Sequence, residues 1–333
     1  MGDLRQRNYV IDFAKAIAIV LVVIGHWYPT TSPAWWIGIR DVIYSFHMPL
    51  FMAASGYIYI YISRSYAAQN YGSFLLGKVK RLMVPYISTS IIVITIKLLT
   101  QGDAYVENPV TLGSYLEIFY RPAAGYYLWF IWALWWMFVI VPFFKKKSWR
   151  VGLFVVALVA AYLPWKAPEI FCLRETQGML VYFMTGVMLY EYRQVLTWLY
   201  RVPWYVVLAV FGVLEGCFLA GMPGIWYALS YAGILTMLSL SKAIERSGLA
   251  SLKAKLCSVA SASYIIYLFH TTFEGFAKSA LGKLVPSWIV GDDWITFAIA
   301  SVVIVSVGVI VPLWLYRYLL GRWRLSRFLF GLK

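Results

Sequence analysis

Long apolar runs separated by short basic or aromatic-rich segments dominate this 333-residue chain. Two clear cases are GLFVVALVAAYLP at 152–164 and TFAIASVVIVSVGVIVPLWL at 296–315. A helix needs about 20 predominantly apolar residues to cross a bilayer. The pattern therefore predicts an all-α, polytopic membrane bundle of about ten transmembrane helices. Their expected ranges are 9–28, 42–62, 82–100, 126–144, 149–165, 177–192, 203–220, 224–240, 259–277 and 295–319.

The composition supports a membrane protein, because 62% of the residues are hydrophobic and only 13% are charged. A soluble globular domain carries about a quarter charged residues, so that class is excluded. The segments between the predicted helices are too short for a separate soluble domain. We expect a single membrane domain over 1–333, with a basic amphipathic tail at 321–333. The first apolar segment carries Asp12 and Lys15 without a small-residue cleavage site, which favours a retained span.

The net charge of +15 is distributed unevenly across the predicted membrane. With the N-terminus in the cytoplasm, 21 of the 29 Lys and Arg residues fall in cytoplasmic segments and 6 fall outside. This bias predicts cytoplasmic N- and C-termini and an even number of spans. The positive charge then faces anionic membrane lipids, and a nucleic-acid partner is not needed to explain it.

The tail RWRLSRFLFGLK has the pattern of an interfacial amphipathic segment. We expect its apolar part to lie in the membrane interface. That part consists of Trp323, Leu325, Phe328, Leu329 and Phe330.

A few ionisable residues lie inside predicted spans, where they are costly and are functional candidates. They are Asp12, Lys15, His26, His47, Lys97, Glu215, His270 and Glu274. The three cysteines are scattered without metal-ligand spacing, so no metal site is predicted.

Lys15 and His26 are eleven residues apart on the first predicted helix. That spacing corresponds to three turns plus about 20°, so both side chains project from one face, about 16 Å apart along the axis. Asp12 precedes Lys15 by three residues and can pair with it. A structural alternative remains open, in which Lys15 reaches the headgroups and His26 belongs to an interfacial aromatic belt.

The other two histidines lie at a similar predicted depth. His47 lies near the start of the second predicted helix in SFHMPLFMAASGYIY, and His270 lies in SYIIYLFHTTFEGFA with Glu274 four residues later. Glu274 can orient the His270 imidazole across one turn, although a structural ion pair would have the same spacing. We predict that three spans converge on one polar cavity through His26, His47 and His270.

Five segments resemble the acyltransferase-3 family of bacterial membrane acyltransferases. YVIDFAKAIAIVLVVIGH is similar to its first span, with an acidic residue, a basic residue and a histidine. SFHMPLFMAASGYIY is similar to its second span, KVKRLMVPY to its basic stretch, YYLWFIWALWW to its Leu-Trp-Phe segment, and SYIIYLFHTTF to its late histidine motif. The order is that of the family, and the short, sugar-acetylating (fucose acetylase-like) branch is the most similar. Many members have arginine where this chain has Lys15, so bidentate geometry is lost there.

The resemblance implies a bacterial inner-membrane enzyme that takes an acyl group from cytoplasmic acetyl-CoA. The acceptor would be a hydroxyl of an envelope or exported glycan, or of a lipid-linked sugar, and no bound cofactor is expected. Coenzyme A is a polyanion, so it needs cations at the inner mouth. The donor-binding candidates are Lys15, Asp12, Lys78, Lys80 and Arg81.

The catalytic candidates are His26, His47, His270 and Glu274. A neutral histidine is a suitable base near pH 7, and we expect His26 to deprotonate the acceptor hydroxyl. His47 or His270 would position the acceptor or stabilise charge, with Glu274 orienting His270. A covalent acyl-histidine intermediate is the variant of this scheme.

Two other functions fit the same buried charges. The first is a transporter or glycan flippase that uses them as a relay. The second is a non-catalytic scaffold of polysaccharide assembly, in which all three histidines would tolerate alanine.

Overall fold

The chain folds into helices throughout the part that a computed structural model describes. That part comprises residues 8–29, 31, 33–63, 70–102, 106, 108–163, 166–222, 224–290 and 293–332. Within it the α-helices, in chain order, are α1 Tyr9–His26, α2 Ala34–Ser63, α3 Tyr71–Lys78, α4 Val84–Thr100, α5 Ser114–Glu117, α6 Trp129–Ile140, α7 Lys147–Tyr162, α8 Leu173–Glu191, α9 Arg193–Leu199, α10 Trp204–Leu219, α11 Trp226–Arg246, α12 Ala250–Leu284, α13 Trp294–Leu315 and α14 Arg324–Leu329.

A helix overlaps each of the ten predicted ranges, but length and hydropathy alone qualify only some as spans. Five described helices pass that test: Tyr9–His26, Tyr71–Thr100, Tyr126–Phe143, Ala250–Leu284 and Trp294–Leu320. A sixth is added if α9 and α10, which are bent by 93° to each other, form one broken span. The structure therefore confirms an all-helical, multi-pass membrane protein, while the number ten stays a prediction.

Two of the long spans contain a π-helical turn instead of a break. Val79–Met83 joins α3 to α4, and Tyr316–Leu320 extends α13. Within α2 the helix continues through Pro49. Pro49 therefore does not interrupt α2.

Side-chain caps explain where two helices begin. The Asn8 side chain accepts a hydrogen bond from the Ile11 amide at 3.2 Å, at the start of α1. Asp293 accepts one from the Thr296 amide at 3.0 Å, at the start of α13. The hydrogen bonds from Thr296 hold the pKa of the Asp293 carboxyl below its ordinary value. Short polar side chains at these positions satisfy amides that have no partner inside the helix.

Helix α1 lies inside the bundle and packs on α2, α11, α12 and α13. Ala14, Ala18 and Val22, one turn apart, are almost completely buried. A helix that is apolar nearly all round is typical of such a central position. This placement brings the C-terminal end of α1, with His26, against the middle of α12.

Helices α2 and α8 touch backbone to backbone. A Cβ added at Gly56 would lie 1.9 Å from the Phe183 carbonyl oxygen, and one added at Gly186 would lie 1.8 Å from that of Ala53. Small residues allow this approach between membrane helices. We call this contact through Gly56 and Gly186 the seam between α2 and α8. The seam fixes the position of α2, which carries His47, relative to α8.

The apolar residues of the C-terminal tail differ in exposure. Trp323, Leu325 and Phe328 are at least half exposed, as expected for an interfacial segment. Phe330 instead is buried, with its ring centroid 5.3 Å from that of Phe269. The chain turns back onto α12 at Phe330, and the interfacial position of the tail stays a prediction.

Candidate active site

A cavity of about 900 Å³ lies between the helices at one end of the bundle. Helices α1, α2, α4, α8, α11 and α12 and the segment 124–129 line it. His26, His47 and Glu274 belong to its wall. His270 is fully buried directly behind His26.

The His26 and His270 rings meet edge to face although 244 positions separate them in the sequence. Their centroids are 5.0 Å apart and their planes are inclined by 85°. His47 joins them through Tyr44, whose ring centroid is 5.0 Å from His47 and 6.1 Å from His26. Three separate helices therefore bring the three imidazoles to one place, and the predicted convergence is confirmed.

All three histidines make the same hydrogen bond with Nδ1. The His26 Nδ1 lies 2.9 Å from the carbonyl oxygen of Val22, and the His47 Nδ1 lies 2.7 Å from that of Ile43. The His270 Nδ1 lies 2.9 Å from the Tyr267 carbonyl. A carbonyl oxygen only accepts, so Nδ1 must carry the hydrogen in each ring.

The neutral form of each ring therefore has its lone pair on Nε2. Among the described residues, the buried Nε2 atoms of His47 and His270 have no hydrogen-bond partner. His26 is only half-buried and lines the cavity. The arrangement offers proton-accepting nitrogens to a molecule in the cavity.

Two tyrosines that the sequence analysis did not select support these rings. The Tyr127 ring centroid lies 5.3 Å from that of His270, and its hydroxyl donates to the Leu268 carbonyl at 2.9 Å. Tyr267 in turn donates to the Tyr127 carbonyl at 2.6 Å. Both lie inside the conspicuous segments YYLWF and SYIIYLFH, but sequence does not reveal which helix faces meet.

A second unpredicted cluster holds the end of α1. Tyr44 Oη and Arg40 Nε each donate to the Gly25 carbonyl at 3.0 Å. The Arg40 guanidinium also lies 3.5 Å above the ring of Tyr28. These contacts fix the backbone immediately before His26.

Glu274 does not orient His270 as predicted. The Nδ1 of His270 is engaged by carbonyl oxygens of its own helix, which already fix the ring. Both Glu274 oxygens are buried without a hydrogen-bond partner among the described residues. Glu274 instead lies close to α13, since a Cβ added at Gly308 would be 2.8 Å from the Glu274 Cγ.

The predicted donor-binding residues do not line this cavity. Asp12 and Lys15 are half-buried on α1. Lys78 is buried, with its ammonium 3.9 Å from the ring centroid of Phe138. Lys80 is exposed and Arg81 is half-buried. The donor-binding roles of these five residues therefore stay predictions.

The cavity wall carries its own cations, which the sequence analysis did not assign to a site. Lys97 donates to the Asn108 carbonyl at 3.1 Å, and Lys278 donates to that of Tyr28 at 2.7 Å. Lys283 also lines the cavity. Among the residues described, no group of three or more His, Cys, Asp or Glu is arranged to hold a metal ion.

The fold and the cavity define a multi-pass membrane protein whose helices bring three imidazoles together at one cavity. A model of the acyltransferase-3 family (Acyl_transf_3, acyltransferase domain) matches residues 8–317. The chain therefore belongs to the acyltransferase-3 family, and the resemblance of the five segments is confirmed.

Two curated relatives are both described as nodulation protein NolL. The one from Sinorhizobium fredii is 33% identical over 144 residues, which is 42% of this chain and 37% of that protein. The one from Mesorhizobium japonicum is 29% identical over 165 residues, which is 47% of this chain and 42% of that protein. The alignments thus span less than half of these relatives. No solved structure matches the chain.

Proposed function

We propose that this chain is a membrane O-acetyltransferase that moves an acetyl group from cytoplasmic acetyl-CoA to a hydroxyl of an envelope or exported glycan. The observation that carries the proposal is the pair of imidazoles, His26 and His270, 5.0 Å apart at the cavity. Membership of the acyltransferase-3 family supports the reaction class. The enzyme would cross the bacterial inner membrane ten times, with both termini in the cytoplasm.

His26 is the general base in this proposal, because its Nε2 has the lone pair and its ring is accessible from the cavity. It removes the proton from the acceptor hydroxyl, and the hydroxyl oxygen forms a bond to the thioester carbonyl carbon. The tetrahedral intermediate then collapses, the carbon–sulfur bond breaks, and the coenzyme A sulfur takes the proton from His26. General base catalysis of this kind typically contributes about 10²–10⁴-fold.

His47 and His270 would position the acceptor. With the hydrogen on Nδ1 their Nε2 atoms are acceptors, so His47, which lines the cavity, can receive a hydrogen bond from a sugar hydroxyl, whereas His270 acts from behind His26. A neutral ring in this tautomer cannot donate from Nε2 to an oxyanion. The geometry therefore favours positioning over charge stabilisation for these two residues.

The donor would bind at the cytoplasmic end of the bundle, near Lys15, Lys80 and Arg81, whose charges suit the phosphates of coenzyme A. Tyr267 and Tyr264 precede His270 by one and two turns on α12 and stack with centroids 6.4 Å apart. The thioester arm would pass these rings to reach His26. Their displacement is then part of donor binding.

The test uses purified protein in detergent with radiolabelled acetyl-CoA. The acceptor probe is glycan extracted from the source cells and stripped of acetyl groups with mild alkali. Wild-type protein should transfer label, and His26→Ala should transfer about 10²–10⁴-fold less with an unchanged melting temperature.

Other outcomes would contradict the proposal. Detergent solution has no compartments, so absence of wild-type transfer would favour a transporter or flippase. Near-normal transfer by alanine variants of all three histidines would favour a scaffold. Labelled protein trapped without acceptor would replace direct transfer by an acyl-enzyme.

A further inference from the structure

The backbone is strained immediately before α8, beside the cavity. Phe171 and Cys172 have φ values of 56° and 55°, in the left-handed region that non-glycine residues rarely adopt. Such residues cluster at functional sites, where the surrounding structure holds them in place. Here the Phe171 amide donates to the Tyr120 carbonyl at 2.8 Å, and Trp136 Nε1 donates to the Phe171 carbonyl at 3.1 Å.

The strained pair determines the direction in which α8 begins. Thr176 Oγ1 donates to the Cys172 carbonyl at 2.7 Å and ties the first turn of α8 to the strained residues. Glu175 lies in this first turn and lines the cavity. A carboxylate there is also favoured by the positive end of the helix dipole.

The Glu175 carboxylate is held by one oxygen and leaves the other available. Its Oε1 accepts from the Tyr126 hydroxyl at 2.5 Å. Its Oε2 is buried without a hydrogen-bond partner among the described residues. A buried acceptor without a partner is unfavourable, and a bound donor group would relieve this cost.

The cavity wall to which Glu175 belongs has the composition of a sugar-binding site. Tyr126 and Trp226 line it and are 63% and 40% exposed, so their rings are accessible to a ligand. Asn108 also lines it and adds an amide. Aromatic faces pack against the apolar C–H face of a sugar ring, while a few polar groups fix its orientation.

We propose that Glu175, positioned by Tyr126 and the strained turn, binds hydroxyl groups of a sugar residue of the acceptor. The identification of this sugar as part of the acceptor rests on the proposed function. A carboxylate accepts hydrogen bonds from hydroxyls and repels carboxylate or phosphate substituents. The residue bound here is therefore hydroxyl-rich and carries no negative charge.

Binding is measured without catalysis, by isothermal titration of the stripped glycan into the detergent-solubilised full chain without donor. Glu175→Ala should weaken binding about tenfold or more, because hydrogen bonds to charged groups are lost. Glu175→Gln keeps a polar group in the same place without the charge and should weaken binding less than Glu175→Ala does. Glu169→Ala is the matched control, since this nearby carboxylate is exposed and pairs with Arg174.

The outcomes separate the two proposals. Unchanged glycan binding by a folded Glu175→Ala variant would overturn the inference, even if wild-type protein transfers acetyl groups. Equal loss in Glu175→Gln and Glu175→Ala would also overturn it, because the negative charge itself would then be recognised. Loss of binding in Glu175→Ala, with no transfer by wild-type protein, would support the sugar site and contradict the acetyltransferase.

Discussion

Replacing Gly56 by alanine tests the backbone contact between α2 and α8. The added Cβ would lie 1.9 Å from the Phe183 carbonyl oxygen, whereas an ordinary Cβ contact begins at 3.4 Å. The helices must therefore separate by about 1.5 Å at this point. The obstacle is a backbone atom that no rotamer change can move, and Gly186 makes the reciprocal contact on the same seam.

The expected loss of stability follows from the overlap between the added Cβ and the Phe183 carbonyl oxygen. Overpacking typically destabilises by about 1–3 kcal/mol, and a rigid obstacle puts Gly56→Ala at the upper end, ~3 kcal/mol. With an unfolding entropy of about 2 cal/mol/K per residue, the melting temperature of a chain of this size should fall by about 4 °C. Acetyl transfer should fall as well, because the seam fixes α2 and thereby His47.

The assay is thermal unfolding in detergent, followed by tryptophan fluorescence. Gly38→Ala is the matched control, because Gly38 lies on the same helix and its added Cβ meets nothing within 4 Å. Alanine has the higher helix propensity, so this control should melt at the same or a higher temperature. Equal melting temperatures for Gly56→Ala and Gly38→Ala would refute the reasoning.

Two further substitutions probe the tail and the cavity. Phe330→Ala should destabilise the protein by about 3 kcal/mol, because its ring packs on Phe269. Its control, Phe328→Ala, should change stability by less than about 0.5 kcal/mol. Equal melting curves for the two variants would show that the tail does not pack on α12. Gly308→Ala should reduce acetyl transfer about tenfold by displacing Glu274. Its control, Gly212→Ala, adds a Cβ that meets nothing within 4 Å and should leave the rate unchanged. Equal rates for the two variants would show that transfer does not depend on the observed position of Glu274.

The positions of the helices along the chain could be predicted from the sequence, because a long apolar run is itself the signal of a membrane-spanning helix. A helix overlaps each of the ten predicted ranges. The predicted topology placed His26, His47 and His270 at a similar depth. Depth alone does not show that their helices are neighbours, and only the structure brings the three rings together. Length and hydropathy alone do not establish the number of spans, because α2, α8 and α11 fail that test although they have 30, 19 and 21 residues.

The remaining site residues could not be predicted from the sequence. Their positions depend on which face each helix turns towards its neighbours and on where the chain reverses, and the sequence gives neither. Tyr44 and Tyr127 lie in recognised segments, yet only packing shows that their rings touch the histidines. Lys78 belongs to a basic stretch but turns inward onto Phe138. Glu175 was not predicted from the sequence, because its environment depends on two strained residues that no periodicity reveals.

A double-mutant cycle on initial rates of acetyl transfer tests most directly whether His26 and His270 act together. The variants are His26→Ala, His270→Ala and the double variant, assayed with acetyl-CoA and the stripped glycan. Residues that act as one unit are strongly non-additive, so the double variant should transfer within about threefold of His26→Ala alone. Losses that multiply, or a His26→Ala variant that transfers at nearly the wild-type rate, would contradict a joint catalytic site.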